Sequence, residues 1–580
     1  MKTIAITILL FFCISSYSQQ FYLRGEVKDE SGKLLQNVTI VHQRTGYLYY
    51  SGISGSFGIY NSNKEDTLLF SLDGFQKQKL IVSASRYNSV VLNKGATSAY
   101  ATYKLASLTK GLQKEIQKNW FTGDESYAST VENQFIKADA FPSTGLALRV
   151  DRASYSNIRR FINSGSMVPP DAVRLEEMLN YFNFNYKEPK DDKIFETETV
   201  LTNCPWNENN QLLFALIRSK KIPLDSLPPT HLVFLIDVSG SMDMPNRLPL
   251  LKAGFAGLLE NLRAVDSVSV VVYGGTVGVA LKPTSGADKK KIWNVIDSLQ
   301  PGGSTPGESG IKTAYNLARN HFIEGGNNRV ILATDGDFNV GIKGEEELEE
   351  LILSQRLSGI YLTCLGVGMG NYKDSKIQTL AKKGNGNFAY IDTYAEAEKV
   401  LLKEFTQTLY TVADDVYLNV SFDTNQVKEY RLIGFENKVG AIKDLEATIE
   451  GGEVGSAFTM LVAFEIVPAK SIYTELKPVV LHIQFKLPNG NQRFETIESP
   501  VMVFSPLLKL PATYQFATAV IMFGSILRES KFLNDKPWNQ LVSLATHSAD
   551  MENPSQKEFV QLVEQAKIIY TAKKKKNQKN

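Results

Sequence analysis

The sequence predicts a multidomain α/β plus all-β chain, in which a central doubly wound sheet is flanked by β-sandwich elements and followed by a helical segment. Three observations carry this expectation. Residues 232–236 and 330–333 are unbroken apolar runs that lead to Asp237 and Asp335, with helical spacing between and after them. Such runs belong to strands buried on both faces of a parallel sheet. Short alternating runs fill residues 21–95 and recur at 190–222 and 412–505, whereas helical spacing returns over 508–572.

At the N-terminus, Lys2, a mostly apolar stretch over 4–14 and the small residues Ser16 and Ser18 read as a signal peptide, 1–18, cleaved after Ser18. Cys13 follows bulky Phe11 and Phe12, which disfavours a lipoprotein. Export to the periplasm, the outer membrane or the extracellular space follows. No later segment is long and apolar enough to span a bilayer: 516–527 is too short and Gly524 breaks it.

Residues 21–95 alternate with Gly, Asn and Asp turns, as in a small β-module. The positions Gly25, Val27, Gly32, Asn37, Val38, Gly55, Phe57, Gly74 and Phe75 resemble the carboxypeptidase regulatory-like β-sandwich of exported bacterial proteins. Fold alone assigns it no chemistry, and a spacer or docking role is expected. A polar linker at 96–123, with one helix expected around 104–118, precedes the segment 124–189. There the stretches beginning at Ala153 and Asp171 have helical spacing, and Pro169-Pro170-Asp171 reads as a helix start.

The α/β domain is expected at 230–410: a strand, a helix over 247–262, strands 267–273 and 277–281, a helix over 289–299, and further strand–helix units. At most one antiparallel edge strand is expected. The stretches 190–222 and 412–505 are expected to pair into a sandwich interrupted by this domain. The helical segment 508–572 ends in a basic tail, 573–580, read as solvated and frayed.

The 580 residues are ample for three or four domains of about 150 residues each. A formal net charge of +2 gives no electrostatic case for nucleic acid. With Cys13 removed, Cys204 and Cys364 remain. Cys364 lies in an apolar strand and reads as a small core hydrophobe; a Cys204–Cys364 bridge is the less favoured alternative. The five His residues are scattered without zinc-site spacing.

The chemistry concentrates at the strand ends. Asp237, Ser239 and Ser241 follow the first apolar run, the Gly302-Gly303-Ser304-Thr305 loop carries a further hydroxyl, and Asp335 ends the second run. Loops at the C-terminal ends of parallel strands converge where the strand order reverses. One charged and several neutral oxygens suit a hard divalent cation such as Mg²⁺. An ordinary strand-to-loop turn would use the same residue types, but three such segments about 65 and 30 residues apart form a specific pattern.

That pattern resembles the metal-ion-dependent adhesion site of von Willebrand factor type A (VWA) domains, Asp-x-Ser-x-Ser…Thr…Asp, carried over as Asp237, Ser239, Ser241, Thr305 and Asp335. Stretches at 237–242, 328–341, 384–392 and 430–436 extend the likeness, over about 124–570, to exported bacterial VWA proteins with an associated N-terminal segment and a C-terminal domain of unknown function. The resemblance implies a Rossmann-like VWA domain and a bound Mg²⁺, Mn²⁺ or Ca²⁺. The hydroxyls would ligate directly and one or both Asp residues through water. Glu308 and Asp337 are expected to face solvent or stand behind the ligands. Arg149 and Arg152 depart from the acidic or small polar residues expected there, and the run 455–459 lacks an expected His.

An Asp or Glu of a protein partner could then complete the metal's shell, making the chain a metal-dependent binding module rather than an enzyme. A structural assembly protein with a purely structural metal is the alternative. A hydrolase is a remote one, since no general base, G-x-S-x-G turn or Walker loop is present.

Overall fold

The computed structural model describes residues 21–577 apart from 37, 45–47, 53, 73–74, 95–124, 126, 128–130, 185–186, 191–192, 224–225, 275, 304–306, 337–344, 357, 370–371, 373, 405–409, 436–451, 470–478, 488–493, 501–503 and 534–535. The expected signal peptide and the expected helix at 104–118 lie outside the described residues.

The described residues 21–94 belong to one unit. A three-stranded sheet, Ser56–Asn61, Phe21–Asp29 and Asn88–Leu92, and a four-stranded sheet, Leu48–Tyr50, Thr39–His42, Glu65–Ser71 and Gln78–Ser83, share a core that includes Leu23, Val27, Ile40, Phe57 and Phe70. The alternating pattern supplies one apolar face per sheet, which must be covered.

The second unit, 103–580, centres on a six-stranded sheet in the order Thr276–Ser285, Ser267–Gly274, Thr230–Asp237, Asn327–Thr334, Ile360–Val367, Phe388–Ile391. The first of these is the antiparallel edge; the other strands run parallel. Period-2 geometry explains the unbroken apolar run of the Thr230–Asp237 strand. Leu232, Phe234 and Ile236 pack with Leu251, Phe255 and Leu258 of the Leu248–Glu260 helix. Val233 and Leu235 face the other way, into a core with Ile311, Ala314 and Ile377. This strand pairs with Ser267–Gly274 on one side and Asn327–Thr334 on the other, so the sheet is doubly wound and its order reverses there. In open parallel sheets a crevice forms at such a reversal, which here falls beside Asp237.

The strand-rich flanks pair around this domain. Phe195–Asn203, Gln211–Ser219, Thr459–Pro468, Val427–Ile433 and Ile136–Lys137 form one sheet; Gly452–Gly455, Thr411–Phe422, Val479–Lys486 and Glu495–Pro500 form another, with Ser143–Ala147 also paired to Thr411–Phe422. Leu213, Ala215, Ile217, Val420, Phe464 and Leu481 belong to their common core. The segment 124–189 has helices in both stretches expected to be helical, Ala153–Asn163 and Leu175–Asn180, and in addition supplies a strand to each of these sheets, which was not expected. Strands of two and five residues are too short to display period 2. The expected helix start at Pro169 gives one 3-10 turn, Pro170–Ala172, and the helix proper is Leu175–Asn180.

Three C-terminal helices, Ala512–Leu527, Trp538–Ser548 and Pro554–Asn577, share a core with Ala153–Asn163 and Leu175–Asn180. Gly524 permits a close approach: a Cβ there would stand 2.4 Å from Leu175 Cδ2 and 2.8 Å from Met178 Sδ. Among the described residues no helix is long and apolar enough to cross a membrane. The tail expected to fray from 573 instead continues the last helix to Asn577, because nothing in 573–577 breaks helical geometry. Cys204 and Cys364 are both free and buried, so the alternative disulfide does not form.

Buried ion pairs tie the associated segment to the α/β domain. Arg174 contacts Glu177 and, at 2.7 Å, Asp374; all three side chains are almost fully buried. Arg159 pairs with Asp392 and with Glu396 at 2.7 Å.

Candidate metal centre

The Thr230–Asp237 strand ends on its carboxylate because the apolar run stops there, and the next residues turn. Asp237 Oδ1 accepts the Ser239 N–H at 2.9 Å, and Oδ2 accepts the Thr334 hydroxyl at 3.1 Å. The Val238 N–H donates to the Tyr273 carbonyl at 2.8 Å, fixing the exit of the strand. A 3-10 turn, Gly240–Met242, then brings the Ser241 hydroxyl within 3.1 Å of the Ser239 hydroxyl.

The glycine-rich loop is fastened to this turn. Gly302 N–H donates to the Val238 carbonyl at 2.7 Å, and Gly240 N–H to the Gly303 carbonyl at 3.1 Å. Thr305 itself lies outside the described residues, as does Asp337, and the Glu308 side chain is likewise not described. Asp335, fully buried, follows the adjacent Asn327–Thr334 strand. The structure thus brings Asp237, Ser239, Ser241 and Asp335 to one crevice.

Burial pushes the Asp237 carboxyl up to about 6, and the negative charge of Asp335 pushes the same way; hydrogen bonds from Ser239 and Thr334 oppose the shift. Two desolvated carboxylates facing one crevice favour a cation between them. Sequence reading missed the charge already there. Arg247 Nη1 donates to Asp335 Oδ2 and to the Ser241 carbonyl, each at 2.6 Å, and Nη2 donates to the Met369 carbonyl at 3.1 Å. Arg247 stands just before the Leu248–Glu260 helix, and its sequence gave no sign of folding back over the turn.

The donor set fits a hard divalent ion. Its described members are carboxylate and hydroxyl oxygens, and the 3.1 Å between Ser239 and Ser241 hydroxyls matches the edge of an octahedron; ligands about 2.1 Å from Mg²⁺ at right angles lie about 3 Å apart. Among the described residues no group of three or more His, Cys, Asp or Glu side chains gathers as a metal site, so the candidate here rests on two carboxylates and the hydroxyls beside them.

Comparison with known proteins gives the same reading of the fold. Residues 231–407 match the von Willebrand factor type A domain, residues 121–214 match the family described as von Willebrand factor, and residues 407–569 match the C-terminal domain of the uncharacterized protein YfbK. YfbK of Escherichia coli (strain K12) is 37% identical over 473 residues, covering 77% of this chain and 81% of YfbK. Inter-alpha-trypsin inhibitor heavy chain H3 of Homo sapiens is 27% identical over 179 residues, 29% of this chain and 20% of that protein. Among solved structures, a von Willebrand factor type A protein from Catenulispora acidiphila shares 14% identity at a TM-score of 0.39, covering 66% of this chain and 91% of that one. Type A domains mediate protein–protein interaction and adhesion. The chain is therefore a VWA domain protein and belongs, with its C-terminal domain, to the family of YfbK.

Proposed function

We propose that the chain is a divalent-metal-dependent protein-binding module of the cell envelope, taking a partner's Asp or Glu at the crevice beside Asp237. The observation that carries this reading is the meeting of Asp237, Ser239 and Ser241 with Asp335 where the strand order reverses. Ser239, Ser241 and Thr305 would hold the ion directly, and Asp237 and Asp335 would balance its charge. Mg²⁺ suits this set, with Mn²⁺ and Ca²⁺ as substitutes. Bound there, the ion would supply a positive pole for an anionic oxygen. Neutral hydroxyls leave that pole stronger than a carboxylate cage would.

The chain's own residues preorganise the pole. The Ser239 N–H and Thr334 hydroxyl orient Asp237, and Arg247 holds Asp335 and the Ser241 carbonyl together. Because Arg247 and the Gly302–Gly303 bonds already pin these loops, a metal is not required merely to fasten them. That favours binding over a purely structural metal. Export through the N-terminal signal would place the site where envelope or surface proteins can reach it.

The test is capture of envelope proteins on the immobilised full chain. Retention in Mg²⁺, lost with EDTA, with Asp237→Ala, and after amidation of the extract's carboxyl groups, is the expected result. A partner retained equally under all four conditions removes the metal bridge.

A further inference from the structure

A second site lies at the other end of the strand that leads to Asp335. Arg329 stands near the start of the Asn327–Thr334 strand, six residues before Asp335 and so about 20 Å from it. It lines a cavity of about 90 Å³ together with residues of the α/β domain, Arg149 and Arg152 of the preceding segment, and Glu453 of the sandwich.

Arg329 is 1% exposed, yet it makes a single hydrogen bond, Nη1 to the Thr363 hydroxyl at 2.9 Å. Its Nε has no hydrogen-bond partner, and the main negative charge acting on it is Glu453, in the wall of the same cavity. The Tyr361 ring, 5.4 Å away, is a weak substitute. A dry guanidinium with one hydrogen bond keeps donors that a ligand oxygen can satisfy. The other lining cations are engaged. Arg152 pairs with Glu404 at 2.7 Å, and Arg149 donates to the Ala381 and Gly386 carbonyls. Glu453 accepts from Asn385 Nδ2 at 2.5 Å, and burial pushes its carboxyl up to about 7.

We propose that this cavity binds a small carboxylic acid with a short apolar tail, the carboxylate taken by Arg329 and the tail by Ile331, Leu365, Phe388 and Leu401. The planar guanidinium fork matches a carboxylate in two parallel hydrogen bonds. The apolar wall favours an alkyl chain over a second charged group. The lining also holds Asp151, Glu396, Glu404 and Glu453, whose charge Arg149 and Arg152 offset in part, so that Arg329 is the donor left for a ligand. The ligand would sit where the α/β domain meets the sandwich, apart from the metal crevice.

The probe is pentanoate, added to the full chain and followed by calorimetry and thermal melting, with 1-pentanol and inorganic phosphate as comparisons. Saturable one-to-one binding of pentanoate is expected, with a raised melting temperature. Arg329→Met, which replaces the charge with an apolar chain of similar length, should weaken it at least tenfold while the protein stays folded. Leu401→Phe, which fills the cavity and keeps Arg329, should weaken it as well. No binding, or equal binding by Arg329→Met, overturns the proposal. Phosphate bound in preference to pentanoate, or pentanol bound equally well, overturns the assignment to a carboxylic acid.

Discussion

Arg247 donates to Asp335 Oδ2 at 2.6 Å, so the chain places its own cation against a carboxylate expected to face a metal. The same guanidinium nitrogen holds the Ser241 carbonyl at 2.6 Å, between the two loops that carry the oxygens. The pair offsets one of the two negative charges in the crevice, which leaves the proposed pole more electrophilic and the ion less tightly held.

Arg247→Gln tests that trade. Removing a unit charge a few ångströms from a divalent ion should tighten Mg²⁺ binding about tenfold, the effect of roughly 1–2 kcal/mol expected at a partly screened site. Calorimetric titration of the full chain reads it. Weaker binding would mean that Arg247 acts chiefly by orienting Asp335.

Gly274 should be irreplaceable. Its φ is +152°, and a Cβ there would come within 2.5 Å of the Val238 carbonyl carbon and 2.6 Å of the Ser239 nitrogen. Gly274→Ala must push on the turn that presents Ser239, with a loss of about 1–3 kcal/mol for the strain. Mg²⁺ affinity should fall with it. Gly278→Ala, in the neighbouring strand with nothing within 4 Å of the added carbon, should leave both unchanged. Denaturant unfolding and calorimetry on the two variants compare them directly.

How much of this was legible in the sequence depended on burial and range. The Thr230–Asp237 strand could be read because helices on both faces demand an unbroken apolar run, and the run's end marks its carboxylate. The Ala512–Leu527 helix was legible as helical from its spacing, and as too short to span a bilayer from the length of its apolar stretch. Ile136–Lys137 and Ser143–Ala147 were not, since their pairing is with strands more than 250 residues away and their own lengths show no period. Arg247 escaped notice for a related reason: its partner Asp335 is 88 positions on. Hydroxyl and carboxylate spacing within one loop is local information; a guanidinium folding over two loops is not.

Arg174→Ala should cost about 3–5 kcal/mol, the range for breaking one side of a buried ion pair. Glu177 and Asp374, both almost fully buried, would lose their shared partner. Because Asp374 opens a helix of the α/β domain while Arg174 belongs to the associated segment, the loss should appear as a lower melting temperature of the second unit as a whole.

His231 sets an acid sensitivity. Burial, with His321 adding to it, lowers its ring from 6.5 to about 4. As pH falls from 6.5 to 4, the unfolded chain takes up a proton that the folded one refuses, so stability drops across that window and levels off below it. Above 6.5 the contribution is fully present. His231→Asn should flatten the dependence between those limits by one proton, measured as unfolding free energy against pH.

The most direct test of the central claim is a calorimetric Mg²⁺ titration of the full chain against its Asp237→Ala variant. One ion bound per wild-type chain, with binding abolished in the variant and no change in its fold by circular dichroism, is the predicted result. Equal Mg²⁺ uptake by both, or none by the wild type, would contradict the metal centre on which the binding function rests.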